Sequence, residues 1–453
     1  MSSIADSAVF RSIFSSGQSS AIWSDKTRTA YYLRFESALA TAQARLGIIP
    51  EKAAQAIVKN CYVELIDLKA LESETHKIGY PVLPVVKQLV RMVNEAEPGL
   101  GEWAHWGATT QDVTDTATVL RLRDTCKLVS KSLEGITSAL QELAQKHAAT
   151  PMAGRSNLQQ AVPISFGFKM ARLLATFHRH QARLNEILPR VLVIEFGGAA
   201  GTLATISDTE LAFQLQEELA KELGLGVPEI AWHTERDRIA EVGALFAMVT
   251  GTCAKLALDV KLLMQTEVGE VAEPFHAHRG SSSTMPQKRN PISCAYITAM
   301  SSMVRQSSAA LFDAMVADHE RSTGPWEAEW IVLPQICTLT HAVLNHTEEL
   351  LKGLEVHPEA MSRNLDLTKG TIASEAVMMQ LGKRVGRQVA HDLIYDLCRK
   401  AVKEDRPLLD LLSENEEVRN SGISREELES LCDPKQYIGL SKEMVHRVIN
   451  LKQ

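Results

Sequence analysis

Two long apolar seams in the middle of the chain constrain its fold more than any other feature. One runs from Val242 to Leu263, with apolar residues three or four positions apart. The other keeps that spacing over more than three heptads, at Val119, Leu122, Cys126, Val129, Leu133, Ile136, Leu140 and Leu143. Such stripes are typical of helices packed against other long helices. A helix over about 114–147 would be roughly 50 Å long, so the sequence predicts an all-α fold with a central long-helix bundle, of the kind that subunits share.

Composition and charge exclude several classes of function. The 453 residues are 45% hydrophobic, which suffices for a large core, and the length predicts two to three domains. The net charge is −7 without a long basic run, so nucleic acid is not an expected partner. No secretory signal and no apolar stretch long enough to cross a membrane are expected. Seven scattered cysteines without a CxxC pair predict reduced thiols, and together these features predict a cytoplasmic protein.

Helix breakers divide the chain into three expected domains. An N-terminal helical domain is predicted over residues 1–107, where prolines interrupt shorter helices. The long-helix domain follows over 108–352, and a small helical domain with polar connectors over 353–453. Strand signals are weak, and the best short apolar run is Val191–Phe196.

The chemistry-bearing residues are densest between Ser282 and Pro291. Small and polar residues lead into this run and predict a mobile loop. Asn290 and Pro291 predict the start of the next helix, with asparagine as N-cap and proline at the first helical position. Two adjacent hydroxyls and Lys288 before a helix N-terminus suit the binding of an anionic substrate.

This run resembles the fumarase/aspartase superfamily signature Gly-Ser-Ser-x-Met-Pro-x-Lys-x-Asn-Pro, with Ser281 in place of the usual glycine. The most similar branches are the bacterial-type 3-carboxy-cis,cis-muconate cycloisomerases and the adenylosuccinate lyases. The resemblance implies that Ser283 transfers the proton and that Lys288 is a second catalytic residue. It also implies that three neighbours in the loop contact the substrate: Ser282, Met285 and Asn290.

A second cluster, His105–Asp112, precedes the first long helix and resembles the superfamily region His-x-Gly-x-Thr-Ser-x-Asp. Helix capping alone could explain its hydroxyls. A helix N-terminus also favours an anion, and the family binds substrate carboxylates at this turn. The resemblance implies that Thr109, Thr110 and Gln111 bind a carboxylate. It further implies that His105 is a catalytic residue.

A third segment, Gly154–Pro163, resembles the family's Gly-Arg-Thr-His-x-Gln-x-Ala-x-Pro. Asn157 stands where many relatives carry an acid/base histidine and cycloisomerases typically carry tryptophan. An amide cannot exchange protons near neutral pH, so Asn157 argues against adenylosuccinate or argininosuccinate cleavage. The resemblance implies substrate binding by Arg155, Asn157 and Gln159. The alternative interpretation of Asn157 and Gln159 is a helix surface.

Three more segments extend the resemblance along the chain. Residues 196–202 resemble the family's Gly-rich turn, and residues 319–326 resemble its His-Glu-Arg segment. Trp232–Arg238 resembles the Arg-Asp-Arg segment that helps bind substrate. Arg236 and Arg238 are therefore predicted to pair with substrate carboxylates. The alternative for both is an ion-pair network at a helix start.

The resemblance also implies an architecture and a reaction. It implies a three-part helical subunit in a homotetramer, with each active site built from three subunits. The expected chemistry uses neither cofactor nor metal and stabilises a carbanion, as its aci-carboxylate form, on a small anionic polycarboxylate. We expect 3-carboxy-cis,cis-muconate cycloisomerisation first. The alternatives, in order, are decarboxylation of a tricarboxylate such as trans-aconitate, and C–N cleavage of the adenylosuccinate type. Because Ser283 and Lys288 are both present, a non-catalytic structural protein is disfavoured.

Overall fold

The computed structural model describes residues 7–274 and 279–451, which are built almost entirely of helices. The first half contains α1 (Arg11–Phe14), α2 (Gly17–Ile22), α3 (Asp25–Arg45), α4 (Glu51–Asn60), α5 (Leu68–Ile78), α6 (Val82–Ala96), α7 (Thr110–Lys146), α8 (Phe166–Val191) and α9 (Thr209–Leu223). The second half contains α10 (Asp237–Leu263), α11 (Ile292–Asp313), α12 (Pro325–Lys352), α13 (Pro358–Asp366), α14 (Ser374–Val385), α15 (Arg387–Glu404), α16 (Leu408–Glu414), α17 (Glu416–Asn420), α18 (Arg425–Cys432) and α19 (Ser441–Ile449). The four strands are β1 (Pro151–Ser156), β2 (Gln159–Ser165), β3 (Val271–Ala272) and β4 (Glu355–Val356). The all-α prediction is confirmed.

Both predicted seams lie on single long helices. The first seam lies on α7, a helix of 37 residues, and its side chains from Val119 to Leu140 are buried. The second seam lies on α10, and all of its members are buried as well. A third long helix, α11, follows Pro291 as expected.

The membrane expectation needs one correction. By length and composition alone, α10 is apolar enough to cross a membrane. However, 56% of the most apolar 18-residue segment of α10 is buried inside the structure. Its apolar character is therefore accounted for by packing in the protein core.

The chain forms two compact units. The first comprises Met1–Leu133, His180–Gly251 and Ala299–Asn345. Its apolar core lies among α3, α4, α6, α9 and the first part of α7, where Phe35, Leu89 and Leu120 are fully buried. Local signals set the helix ends in this unit. The Ser24 side chain caps α3, the Asp208 side chain caps α9, and Gly224 ends α9 in the left-handed conformation.

The second unit comprises Glu134–Arg179, Thr252–Thr298 and His346–Gln453. One core cluster lies among the short helices α14, α15, α16 and α18. A smaller cluster joins Ala153 of β1 to Leu365 of α13 and Ile372. Strand β3 pairs antiparallel with β4. These two units are defined by compactness and do not test the three sequence domains, which remain a prediction.

A β-hairpin in the second unit corrects the strand prediction. The run Val191–Phe196 contributes only an isolated bridge, between Val193 and Gly226. Instead, β1 and β2 pair antiparallel and are joined through Asn157 and Leu158. These two residues have φ angles of 50° and 64°, which a two-residue hairpin turn of the I′ type requires. The helix-surface interpretation of Asn157 and Gln159 is therefore wrong.

The start of α11 also differs from the prediction. The helix begins at Ile292, and the Asn290 side chain donates to the Gly280 carbonyl (2.8 Å) rather than capping the helix. The cap is the buried Glu273, whose carboxylate accepts from the Ser293 and Cys294 N–H groups at 3.1 and 2.8 Å. A carboxylate at this position satisfies first-turn donors and complements the helix dipole.

Candidate active site

Asp112 organises the turn that leads into α7. It lies in the first helical turn and accepts a hydrogen bond from the Thr109 N–H (3.0 Å), which is half of a capping box. Its two oxygens also accept from the Gly197 and Gly198 N–H groups, at 3.1 and 3.0 Å. Gly198 has a φ of +74°, which favours glycine. One buried carboxylate thus fastens the Gly-rich turn to the start of α7.

His233 completes this buried network. Its Nε2 lies 2.8 Å from an Asp112 oxygen and 3.4 Å from Glu195. Glu195 accepts from the Trp232 N–H at 2.7 Å. Burial first, and then the neighbouring carboxylates of Asp112 and Asp115, raise the pKa of Glu195 to about 9. Glu195 is therefore protonated at neutral pH.

Within the described ranges, Asp112, Glu195 and His233 are the one group whose ligand atoms are close enough together to hold a metal ion. Both Asp112 oxygens are already occupied by hydrogen bonds from three N–H groups and from His233. The arrangement is therefore explained by its scaffold role, in which it holds two turns together.

Arg321 is the main residue that sequence reasoning did not assign. Its guanidinium donates to the Thr109 hydroxyl at 3.0 Å and to the Gln111 side-chain oxygen at 3.3 Å. It also donates to the Gly198 and Ala199 carbonyls, both at 3.1 Å. A fixed positive charge thus lies beside the N-terminus of α7, and both favour a bound carboxylate.

The predicted carboxylate-binding residues of this turn lie close to Arg321. Thr109 and Thr110 are partly exposed, and Thr110 is the first residue of α7. Gln111 is fully buried, and its amide donates to the His233 carbonyl and to Asp115. Its oxygen is the acceptor for Arg321, so Gln111 positions that guanidinium. The resemblance to the family's His-Glu-Arg segment was the sequence signal for Arg321. It could not predict contacts between residues about 210 positions apart in the sequence.

His105 is paired with a buried carboxylate. Its Nδ1 lies 2.7 Å from Glu36, whose side chain is 1% exposed. Burial lowers the pKa of His105, but the charge of Glu36 and the hydrogen bond to it outweigh burial and raise the pKa. His105 also has a φ of 61°, a strained conformation for a residue other than glycine. An imidazole with a fixed partner and a raised pKa suits an acid/base role.

Arg236 is a scaffold residue in this structure. It is 2% exposed, and its N–H groups donate to Asp115 and Glu329, with distances of 2.6 to 3.1 Å. The guanidinium also stacks on the Trp232 ring, 4.9 Å from its centroid. A substrate carboxylate would have to displace one of two buried carboxylates. The ion-pair alternative therefore describes Arg236 in this structure, and substrate binding by Arg236 stays a prediction.

The other two predicted arginines also have partners within their own units. Arg238 donates to Glu229 at 2.7 Å. Arg155 makes a bidentate pair with the buried Glu270, at 2.9 and 2.7 Å. Asn364 donates to the same carboxylate at 2.8 Å, which fixes it in place. Arg155 thus anchors β1 in the second unit.

The loop that carries Ser282 and Ser283 is fastened at its ends, and most of the residues between them are exposed. Ser281 and Arg289 form an antiparallel bridge, and the Asn290 N–H donates to the Gly280 carbonyl at 3.1 Å. Within the loop, the Ser282 hydroxyl accepts from the Met285 N–H at 3.1 Å. The residues from 283 to 289, including Ser283, Met285 and Lys288, are exposed. The turn residue Asn157 and its neighbour Gln159 are exposed in the same unit.

Comparison with known proteins decides the family. A family model described as "Lyase" matches residues 9–305, and one described as "Adenylosuccinate lyase C-terminus" matches residues 370–448. The chain is 56% identical to trans-aconitate decarboxylase 1 of Mycosarcoma maydis, over 99% of this chain and 90% of that protein. It is 42% identical to 3-carboxy-cis,cis-muconate cycloisomerase of Pseudomonas aeruginosa, over 99% of this chain and 97% of that protein. The chain belongs to the fumarase/aspartase superfamily.

A solved structure of this superfamily agrees with the fold. The 3-carboxy-cis,cis-muconate lactonizing enzyme of Pseudomonas putida superposes with a TM-score of 0.91 at 40% identity, covering 98% of both chains. The predicted superfamily membership and enzymatic nature are thereby confirmed. Homotetramers are typical of this superfamily, and for this chain the tetramer remains a prediction.

Proposed function

We propose that the protein stabilises a carbanion next to a carboxylate of a small unsaturated tricarboxylate. The observation that carries this proposal is the turn at the start of α7. There the Arg321 guanidinium, the Thr109 hydroxyl and the helix N-terminus lie together and offer positive charge and donors. When a carbanion spreads onto a carboxylate, that group gains negative charge, and preorganised donors stabilise this charge more than they stabilise the ground state.

The remaining roles follow the superfamily pattern. We assign proton transfer to Ser283, whose hydroxyl is a poor base until water is excluded and positive charge stabilises the alkoxide. We assign that charge to Lys288. His105, held by Glu36, is the second acid/base group. The other proposed substrate contacts are Thr110, Gln111, Arg155, Asn157, Gln159, Arg238, Ser282, Met285 and Asn290.

The first candidate reaction is cycloisomerisation of 3-carboxy-cis,cis-muconate. In this reaction a carboxylate of the substrate adds to the substrate's own double bond, and the enzyme stabilises and protonates the resulting carbanion. Support comes from two Pseudomonas relatives, one named 3-carboxy-cis,cis-muconate cycloisomerase and the other, a solved structure, named 3-carboxy-cis,cis-muconate lactonizing enzyme.

The second candidate is decarboxylation of trans-aconitate. Loss of carbon dioxide leaves a carbanion that needs the same stabilisation and then a proton. The specific observation in its favour is the 56% identity to the Mycosarcoma maydis decarboxylase over nearly the whole chain. Asn157 also fits this candidate better than the first, since it replaces the tryptophan typical of cycloisomerases. C–N cleavage ranks third, because Asn157 cannot act as the acid that such lyases use.

A direct assay separates these reactions. The purified protein is incubated with 3-carboxy-cis,cis-muconate, trans-aconitate or adenylosuccinate, while ultraviolet absorbance and carbon dioxide release are followed. Absorbance change without carbon dioxide release identifies cyclisation, and stoichiometric carbon dioxide release from trans-aconitate identifies decarboxylation. Turnover of adenylosuccinate alone would contradict the proposed tricarboxylate class.

The cytoplasmic location also remains a prediction, which imaging of the tagged protein can test.

A further inference from the structure

A cavity in the first unit has no part in the proposed chemistry. It has a volume of about 50 Å³ and lies between α3, α7 and α12. Since roughly 10–15 Å³ of such volume already holds a water molecule, the cavity has room for a small polyatomic ion. Its walls include aromatic rings, two threonine hydroxyls and one deeply buried cation: Trp23, Tyr32, Thr114, Thr118, Arg121 and Trp330.

The cation is Arg121, whose residue is 4% exposed. Its guanidinium lies over the Trp23 ring, 4.5 Å from the centroid, and donates one hydrogen bond to the Thr118 hydroxyl at 3.3 Å. Across the described residues, its Nε and Nη1 have no hydrogen-bond partner. Burial first, and then the positive charge of Arg28, lower the pKa of Arg121 to about 10, so the group is still charged at neutral pH.

A buried charge without a counter-ion is costly, as is each unpaired buried donor. The two carboxylates that line the cavity do not supply the counter-ion. Asp115 accepts hydrogen bonds from Arg236, Gln111 and Trp326, and Glu329 is bound by the same Arg236. Arg121 is therefore left without a carboxylate partner in the part of the chain that the structure describes.

A second unpaired donor lines the same cavity. The indole Nε1 of Trp330 is buried and, within residues 7–274 and 279–451, has no hydrogen-bond partner. An indole N–H can only donate, and so can a guanidinium. The unmet hydrogen-bonding groups identified at this cavity are thus donors, and one of them carries a positive charge. Water could accept some of these bonds, but it brings no negative charge to pair directly with the guanidinium.

We propose that this cavity binds one small monovalent anion of the size of chloride, bromide or formate. The anion accepts hydrogen bonds from Arg121 and Trp330 and neutralises the guanidinium. It thereby stabilises the packing of α7 against α3 and α12. This site does not depend on the proposed reaction, because none of its donors takes part in it.

The test is thermal unfolding at constant ionic strength, with chloride replacing gluconate, an anion too large for the cavity. For the wild type we expect Tm to rise saturably with chloride, by roughly 2–4 °C. The Arg121→Met variant should lose the response, and Trp330→Phe should weaken it. Arg91→Met is the matched control, because Arg91 is a surface arginine of α6 with a 65% exposed side chain. It should respond like the wild type.

An equal chloride response in the wild type and in Arg121→Met would overturn the proposal, since the effect would then be general ionic screening. Should Arg121→Met fail to fold, crystals of the wild type soaked in bromide decide the question. An anomalous peak within hydrogen-bond distance of Arg121 supports the site. Water alone in the cavity overturns it.

Discussion

The turn before α7 and the loop that carries Ser283 are held in opposite ways. At the turn, the buried carboxylate of Asp112 binds three backbone N–H groups and His233. In the loop, the Ser281–Arg289 bridge and the Asn290 contacts fasten the ends, and residues 283–288 between them are exposed. The first arrangement suits preorganised binding, because each donor is fixed before the substrate arrives. The second suits a group that acts only after closure excludes water.

This contrast predicts where a substitution costs stability and where it costs activity. Around the turn, side chains support each other through buried charges, so truncation leaves unpaired groups. In the loop, Ser283 and Lys288 are exposed, so truncation should leave the fold unchanged.

Replacing Arg236 by methionine should cause the largest loss of stability. It leaves Asp115 and Glu329 buried without their shared partner, and such a loss costs about 3–5 kcal/mol. Urea denaturation measures the change in the free energy of unfolding. Arg238→Met is the matched control, because the partner of Arg238, Glu229, has an 82% exposed side chain. It should cost less than about 1 kcal/mol. Equal losses in both variants would contradict the scaffold role of Arg236.

Replacing Arg321 by methionine should reduce kcat/KM for the proposed tricarboxylate substrate. The loss of charge-assisted hydrogen bonds to a carboxylate is worth about 1.5–3 kcal/mol, or roughly 10- to 150-fold. Arg321→Lys keeps the positive charge but lacks the planar guanidinium. Its kcat/KM should lie between those of the wild type and Arg321→Met. Steady-state kinetics of the three proteins measure the effect. If kcat/KM is unchanged in Arg321→Met, the carboxylate-binding turn does not include this residue.

Glu195 should make stability depend on pH. Its pKa is raised from 4.5 to about 9 in the folded protein, so its contribution to stability is fully present below pH 4.5. That contribution declines as pH rises and is lost once pH passes about 9. Glu195→Gln keeps a neutral side chain and should be more stable than the wild type at pH 9, by about 1.4 kcal/mol or more. Urea denaturation of both proteins at pH 5 and pH 9 measures this difference. An equal difference in unfolding free energy at the two pH values would show that Glu195 is not protonated in the native state.

The smallest effect is expected at the hairpin turn of the second unit. Leu158 has a φ of 64° and is 77% exposed. A left-handed conformation costs a residue with a side chain about 1–2 kcal/mol, whereas glycine adopts it freely. Leu158→Gly should therefore raise the unfolding free energy by less than about 1 kcal/mol, because glycine also gains entropy in the unfolded chain. Leu158→Val should lower it, and a gain from valine would show that the turn is not strained.

The sequence predicted the long helices well, because their signal is local. In α7 and α10 the apolar spacing repeats over many turns, and no other element gives that pattern. The hairpin β1–β2 was missed because its two strands are short and its turn, Asn157-Leu158, lacks the usual glycine. The cap of α11 was assigned to Asn290 because a buried glutamate 19 residues before the helix gives no local signal.

The candidate site was only partly predictable for the same reason. Residue types and motif order pointed to the turn before α7 and the Ser283 loop as candidate segments. They could not show which cations already have partners. Arg236 and Arg321 look equivalent as arginines in motifs, yet one is enclosed by two carboxylates and the other lies beside Thr109. Pairing across roughly ninety to two hundred residues is a property of the folded chain.

The division between a binding turn and a reacting loop is tested most directly by replacing Ser283 with alanine. Thr284→Ala is the control, since it removes the neighbouring exposed hydroxyl. With the substrate identified in the assay above, we expect kcat of Ser283→Ala to fall by a factor of about a thousand or more, as for loss of an acid/base group. Its urea midpoint and the kcat of Thr284→Ala should match the wild type. Wild-type kcat in Ser283→Ala, at unchanged stability, would contradict the account.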